Sequence, residues 1–179
     1  QQWNRLGIFV HGPSNSPEYA HRVLTSHLEH IGWHDLTGKT VLELGPGNSL
    51  FTVLVARGLG AERIYLVDVG PFASMKIQQY IDACDYLARQ GLKLPSIEDC
   101  TSMEEVLSIC GAEYLTNGLT DLRRIPAGSV DLVWSQAVLE HVRLSVVEAT
   151  LEETSRILTP DGVTSHEVDL RDHLAGALN

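Results

Sequence analysis

The segment TVLELGPGNSL, residues 40–50, decides the fold. Its first five residues are a mostly apolar run, which is typical of a strand buried on both faces of a parallel sheet. Gly45-Pro46-Gly47 ends that run in a tight turn, and the apolar spacing from Leu50 onward predicts a helix. Glycines between a parallel strand and a helix leave backbone N–H groups bare beside a ligand. The segment therefore predicts a ligand-binding loop at the carboxyl end of a strand.

Strands and helices are predicted to alternate along the rest of the chain. Apolar spacing and capping residues predict helices over 17–31, 50–56, about 73–90, a short stretch after Ser102, and from Ser145 to about 158. Apolar runs predict strands at 40–44, 64–67, 113–115, 130–135 and 163–168, the last one after a turn at Thr159-Pro160-Asp161-Gly162. This order implies right-handed crossovers and one parallel sheet covered on both faces. The stretch 91–111 is predicted to be a helical insert, because it makes the second crossover unusually long.

Composition limits the classes of partner. At 179 residues the chain fits one domain, and its formal net charge of -10 opposes binding to phosphate backbones, so we expect no nucleic acid substrate. No apolar run approaches the roughly 20 residues that cross a bilayer, so we expect no membrane partner. Three cysteines without close spacing are typical of reduced thiols, which predicts a cytoplasmic protein. Because the first residue is Gln1 rather than Met, we expect the chain to begin inside a longer protein.

Two acidic residues limit the class of ligand that the loop can bind. Asp68 ends the second predicted strand, just over twenty residues after the glycines, where a carboxylate accepts hydrogen bonds from ribose hydroxyls. A dinucleotide-binding loop shares that acid but prefers a third glycine, and Leu50 stands in its place. Glu43, inside the first strand, would repel a pyrophosphate but suits a sulfonium amino acid. These residues favour an adenosine ligand, and a nicotinamide-dependent oxidoreductase remains an alternative.

In this context the segment 41–47 resembles the first cofactor motif of class I S-adenosylmethionine-dependent methyltransferases. The segments 125–135 and 138–142 resemble the fourth strand of that family and the residues after it, and 158–162 is similar to the turn before strand five. The resemblance spans roughly residues 40–172. It implies an α/β fold, a doubly wound, Rossmann-like parallel sheet in the order 3-2-1-4-5 that lacks the last two strands of the family. Strand five is then expected to be an exposed edge.

The resemblance also implies a cofactor, S-adenosylmethionine, and the residues that bind it. The glycine loop lines the methionine and ribose portions, Asp68 holds the ribose, residues near 117–120 flank the adenine, and Ser135 and Gln136 close the methionine side. An N-terminal helical segment, 1–39, covers the cofactor site with its loop at 11–15, and 40–179 form the methyltransferase domain. The cofactor-binding residues implied in this way are Glu43, Gly45, Pro46, Gly47, Asn48, Ser49, Asp68, Val69, Asn117, Leu119, Thr120, Ser135 and Gln136.

Histidines after the last two predicted strands are candidate bases, because the carboxyl ends of parallel strands face the ligand crevice. His141 and His166 are the residues chosen, with Asp169 and His173 as further candidates, and packing or solvated roles are the alternative for all of them. Other histidines and the tryptophans are predicted to pack rather than to bind a metal or stack on bases. They are His27, His30, His34, Trp3, Trp33 and Trp134.

The resulting hypothesis is methyl transfer to a small-molecule acceptor by direct displacement at the sulfonium methyl group. Correct positioning of the two reactants can lower the barrier by about 7 to 11 kcal/mol, so a dedicated base is not obligatory. The alternative is a non-catalytic module of the same fold that serves regulation or assembly.

Overall fold

The computed structural model describes residues 15–170, which form one parallel sheet with helices on both faces. The strands are β1 (Thr40–Leu44), β2 (Arg63–Val67), β3 (Ala112–Leu115), β4 (Val130–Gln136) and β5 (Leu158–Glu167). The helices are α1 (Pro17–His30), α2 (Phe51–Gly58), α3 (Ile77–Arg89), α4 (Met103–Ile109), α5 (Leu119–Leu122) and α6 (Leu144–Ile157), with a 3-10 turn at Leu139–His141. The sheet order is β3-β2-β1-β4-β5, which confirms the predicted doubly wound topology.

The central strand β1 separates two hydrophobic cores. Val41 packs with the helices α1 to α4 on one face, whereas Leu42 packs with the side of α5 and α6. Both residues are fully buried, as expected for a parallel strand covered on both faces. Because all five strands are parallel, their carboxyl ends meet at one edge of the sheet and bring distant loops together there.

Local capping starts two helices where the sequence predicts it. The Ser16 hydroxyl accepts a hydrogen bond from the Tyr19 N–H at the start of α1, with Pro17 in the first turn. The Ser102 hydroxyl accepts one from the Glu105 N–H at the start of α4. This short helix is the one regular element within 91–111.

Three predicted boundaries are wrong. The turn predicted at 159–162 lies inside β5, where Leu158 pairs with Val130 and Val163 pairs with Leu132, so these residues form an irregularity that bulges out of the ladder without ending the strand. The helix predicted from Ser145 begins at Leu144, and its N-cap residue makes no side-chain capping bond. The helix predicted from about 73 begins only at Ile77, because other contacts hold residues 70–74.

A buried histidine joins α1 to the sheet edge. The His27 Nδ1 atom lies 2.7 Å from the Ser165 Oγ atom of β5, and the side chain is 4% exposed. Among residues 15–170, no set of histidine, cysteine, aspartate and glutamate side chains is arranged to hold a metal ion. His27 therefore links these two elements by a buried contact.

We expect acid to weaken this contact. Burial lowers the pKa of His27 below its usual 6.5, and the positive charges of the neighbouring His166 and His30 lower it as well. The negative charge of Glu167 raises it, but by less than burial lowers it. The native state therefore favours neutral His27. The stability that this residue contributes is fully present above the pKa of the unfolded chain, and it is lost as the pH falls from that value towards the lower pKa of the folded protein. Urea unfolding at about pH 7.5 and about pH 5.5 should show a larger loss in the wild type than in His27→Gln. Equal losses would contradict the assignment.

Candidate functional site

The glycine loop turns sharply at the end of β1. Gly45 has a φ of 69° and its N–H donates to the Val67 carbonyl oxygen at 2.8 Å, while Gly47 has a φ of 71°. A Cβ atom on Gly45 would lie 2.7 Å from a methyl carbon of Val138, so this position accepts only glycine without rearrangement. At Gly47 the nearest atom to such a Cβ would be 4.0 Å away, which leaves the backbone open to a ligand.

The Asp68 carboxylate faces this loop. Its Oδ2 atom accepts a hydrogen bond from the Gly47 N–H at 3.1 Å, and its Oδ1 atom accepts one from the Val69 N–H at 2.7 Å. Burial raises the pKa of Asp68, although these two hydrogen bonds oppose the change. Each oxygen retains further acceptor capacity, because a carboxylate oxygen has two lone pairs. The geometry thus presents two anchored acceptors of the kind that ribose hydroxyls require.

Glu43 is buried beneath the same loop. Its Oε2 atom accepts a hydrogen bond from the Thr52 hydroxyl of α2. Burial raises its pKa from 4.5 to about 7, while Thr52 and the neighbouring Trp134 indole lower it and the Asp68 charge raises it. Among residues 15–170, neither Glu43 nor Asp68 forms an ion pair, so the loop is flanked by two acids that have no basic partner there.

Glu43→Gln should change how stability depends on pH. Because the folded pKa of Glu43 is above its usual value, the native state favours the protonated form, and the contribution of this residue falls as the pH rises from about 4.5 to about 7. Between about pH 5 and about pH 8.5 the wild type should therefore lose more unfolding free energy than Glu43→Gln, by an amount on the order of 3 kcal/mol. Urea unfolding of both proteins measures this difference, and parallel pH profiles would refute it.

The predicted adenine-side residues lie beside Asp68. The Gly118 N–H donates to the Asp68 carbonyl oxygen at 2.8 Å, which joins the start of α5 to the end of β2. Both the N–H and the side-chain Nδ2 of Asn117 donate to Asp121, at 3.0 and 2.9 Å. Burial opposes ionisation of Asp121, but the bonds from Asn117 and Arg124 outweigh it and lower the pKa. The Asn117 amide is thereby oriented with its oxygen away from Asp121, and Leu119 and Thr120 follow in the first turn of α5.

The carboxyl end of β4 folds back over the glycine loop. Ser135 is fully buried and Gln136 half-buried, and the next residue, Ala137, has a φ of 52°, a conformation that residues other than glycine seldom adopt. The turn brings Val138 against Gly45. Backbone strain of this kind collects at functional sites, and no signal in the sequence marked Ala137.

The two candidate bases differ in environment. The His166 Nδ1 atom lies 2.8 Å from the Ser135 Oγ atom, burial lowers the pKa of the imidazole, and Nε2 is buried without a partner in the part of the chain described. His141 is exposed in the 3-10 turn after β4. The structure therefore brings His166 into direct contact with Ser135, a predicted cofactor residue. Asp169 donates its N–H to Glu140, and His173 and residues 11–14 of the predicted N-terminal loop lie outside the described residues.

Two residues of this region were missed by the sequence reasoning. Tyr80 and Tyr114 lie beneath the loop after Asp68, and their hydroxyls make hydrogen bonds to its backbone. A lone tyrosine in a helix or a strand is ordinarily a packing residue, so its type and position alone carried no signal.

A separate cleft of about 450 Å³ opens at the opposite end of the sheet. Its guanidinium groups belong to Arg63, which pairs with Glu113, and Arg124, which pairs with Asp121. Because these charges are already compensated, the cleft provides no evident ligand site. No helix within 15–170 has the length and apolar character needed to cross a bilayer.

Comparison with known proteins gives one family match. The sequence model of a family described as "Methyltransferase domain" matches residues 42–165. No curated protein has significant sequence similarity to the chain.

Several solved structures resemble the chain. A complex of DhpI with SAM and HEP is 22% identical, with 87% of this chain and 57% of that chain covered and a TM-score of 0.47. An S-adenosylmethionine-dependent methyltransferase from Mesorhizobium loti is 18% identical, with coverages of 88% and 55% and a TM-score of 0.49. Coclaurine N-methyltransferase, bound to N-methylheliamine and SAH, is 18% identical, with coverages of 82% and 34% and a TM-score of 0.49. The chain thus spans little more than half of the first two and about a third of the last.

Proposed function

Because this chain belongs to the methyltransferase-domain family of class I, S-adenosylmethionine-dependent enzymes, we propose that it transfers the cofactor's methyl group to a small-molecule acceptor. S-adenosylmethionine is the family's cofactor. When bound, it supplies an electrophilic methyl group that a nucleophile on the acceptor can displace directly.

The residues at the carboxyl edge of the sheet fit this cofactor. Gly47 leaves open space next to the anchored Asp68 carboxylate, and Glu43 adds a second acid beneath the loop. Acidic groups without ion pairs suit a ligand with positive sulfonium and ammonium groups, whereas a pyrophosphate would be repelled. This charge pattern argues against the nicotinamide alternative.

We assign three tasks to the chain's own residues. Gly45, Pro46, Gly47, Asn48 and Ser49 form the loop over which the methionine and ribose portions lie. Asp68 and Val69 hold the ribose side, and Ser135 and Gln136 close the methionine side. The Asn117 amide oxygen, left available by the bonds to Asp121, can accept from an exocyclic amino group of the adenine, with Leu119 and Thr120 beside it.

His166 is our candidate for the base, ahead of His141. In the tautomer whose Nδ1–H donates to Ser135, the Nε2 lone pair is the proton acceptor, and the lowered pKa keeps the imidazole neutral near pH 7. Nε2 is buried in this structure, so this role requires that the acceptor reach it. If His166 acts as the base, His166→Gln should lower the rate of methyl transfer about 100-fold or more, whereas His141→Gln should change it little.

The observation that carries the proposal is the Asp68 carboxylate, anchored by Gly47 and Val69 at the mouth of the loop. Calorimetric titration with S-adenosylhomocysteine, S-adenosylmethionine and NAD tests it. We expect binding of the first two and no comparable binding of NAD. Failure of both sulfur compounds to bind the full-length protein would overturn the proposal.

Transfer itself is tested with radiolabelled S-adenosylmethionine and a panel of small molecules that carry hydroxyl, amino, thiol or activated carbon nucleophiles. Label transfer to any of them supports an enzyme and excludes the non-catalytic alternative. Binding of the cofactor without transfer to any acceptor would instead favour a regulatory module.

A further inference from the structure

The loop after β2, residues 69–76, is held by a tyrosine hydroxyl from the edge strand β3. The Tyr114 hydroxyl accepts hydrogen bonds from the N–H groups of Phe72, at 3.1 Å, and Ala73, at 3.3 Å. The same hydroxyl donates to the Gly70 carbonyl oxygen at 3.1 Å. One phenol therefore makes three hydrogen bonds with the backbone of three residues within the segment 70–73.

A second tyrosine joins this loop to the glycine loop. The Tyr80 hydroxyl donates to the Ser74 carbonyl oxygen at 2.7 Å and accepts from the Leu50 N–H at 3.1 Å. The Ser74 N–H in turn donates to the Asn48 carbonyl oxygen at 2.9 Å. Because the Tyr80 side chain is fully buried, the two loops are held in register by a rigid contact.

The braced loop presents apolar side chains next to Asp68. Val69 is 67% exposed, Phe72 43% and Met75 44%. A Cβ atom added to Gly118 would lie 3.1 Å from a methyl carbon of Val69, and one added to Gly70 would lie 2.7 Å from the Phe72 ring. Single exposed apolar residues are ordinary, but three on one short loop beside an anchored carboxylate form a wall suited to a flat apolar group.

We propose that Tyr114, together with Tyr80, is a positioning residue for the adenosine half of the cofactor. The phenol holds Val69 and Phe72 in place before the ligand arrives, so binding does not have to order the loop. This role rests on the proposed function, because it requires an adenosine ligand at Asp68.

Tyr114→Phe tests the role, because it removes the hydroxyl and keeps the ring. With S-adenosylhomocysteine as the probe, calorimetry should show about tenfold weaker binding at a temperature where both proteins are fully folded, since a ligand must then order the loop. Tyr86→Phe is the matched control, because the Tyr86 hydroxyl makes no hydrogen bond within residues 15–170. We expect its affinity to equal that of the wild type.

A double-mutant cycle separates positioning from a general effect on the fold. Val69 is mostly exposed, so Val69→Ala should weaken binding without disturbing the core. If Tyr114 acts through this wall, Tyr114→Phe should cost at least twofold less affinity in the Val69→Ala background than in the wild type. Additive losses would overturn the positioning role. If Tyr114→Phe does not fold, Phe72→Ala tests the same wall, and unchanged affinity there would overturn it.

The binding results also distinguish failure of the positioning role from failure of the proposed function. A wild type that binds S-adenosylhomocysteine and a Tyr114→Phe variant that binds it equally well would overturn the positioning role alone. A wild type that does not bind the probe would overturn both.

Discussion

Asp68→Ala is expected to weaken S-adenosylhomocysteine binding about 100-fold. A hydrogen bond to a charged group contributes roughly 1.5–3 kcal/mol, and two such bonds from ribose hydroxyls, less the cost of ordering them, correspond to about 2.7 kcal/mol. The variant also removes the acceptor for the Gly47 N–H, so the glycine loop loses a fixed contact. Calorimetry of both proteins with the same probe measures the change.

Two further variants show whether the Asp68 carboxylate itself causes the loss of affinity. Asp68→Asn keeps one side-chain acceptor oxygen and should bind about tenfold more weakly than the wild type. Asp85→Ala removes an exposed carboxylate of α3 and, as the control for net charge, should leave the affinity unchanged. If Asp68→Ala binds within about twofold of the wild type, the carboxylate does not hold the ribose.

Gly45→Ala is expected to lower the free energy of unfolding by about 3 kcal/mol and to reduce cofactor binding with it. A left-handed φ costs an alanine roughly 1–2 kcal/mol, and the clash of the new Cβ with Val138, at 2.7 Å, adds about 1–3 kcal/mol. Urea unfolding of the wild type and the variant measures the total loss of unfolding free energy.

Gly38 provides a control matched in backbone conformation. Its φ is 70°, almost that of Gly45, but no atom lies within 4 Å of an added Cβ. Gly38→Ala should therefore show the conformational cost alone, about 1–2 kcal/mol. Val138→Ala, introduced into Gly45→Ala, should recover part of the remainder by removing the clashing methyl groups. If Gly45→Ala costs no more than Gly38→Ala, close approach of Val138 is not the reason for the glycine.

The strands that pack on both faces were predictable almost to the residue. β1 occupies the predicted residues 40–44, and β2 and β4 each differ from prediction by one residue at one end. Such strands are short apolar runs bounded by turn residues, because a strand buried on both faces is apolar along its whole length. Local composition therefore reveals where they begin and end. Strand β5 was predicted to begin five residues too late, because Thr159-Pro160-Asp161-Gly162 has turn composition but is accommodated as an irregularity beside β4.

Some residues of the candidate site could likewise be identified from the sequence, and others could not. Gly45, Gly47 and Asp68 could be selected from the sequence because glycine and a strand-end carboxylate have a direct chemical reason to stand there. Tyr114 and Ala137 could not, because their roles come from contacts with loops far away in the sequence or from a backbone conformation that their side chains do not require.

By itself, the sequence determined the alternation of strands and helices, the position of the glycine loop and the acidic character of the site, since each depends on the properties of neighbouring residues. Only the tertiary structure decided how the loops at the carboxyl edge support one another. The contact of Val138 with Gly45, the bond between Ser135 and His166, and the bracing of residues 70–73 by Tyr114 each join segments that are distant in the chain. Such contacts follow from which strands are neighbours and from the space between them, which local patterns do not encode.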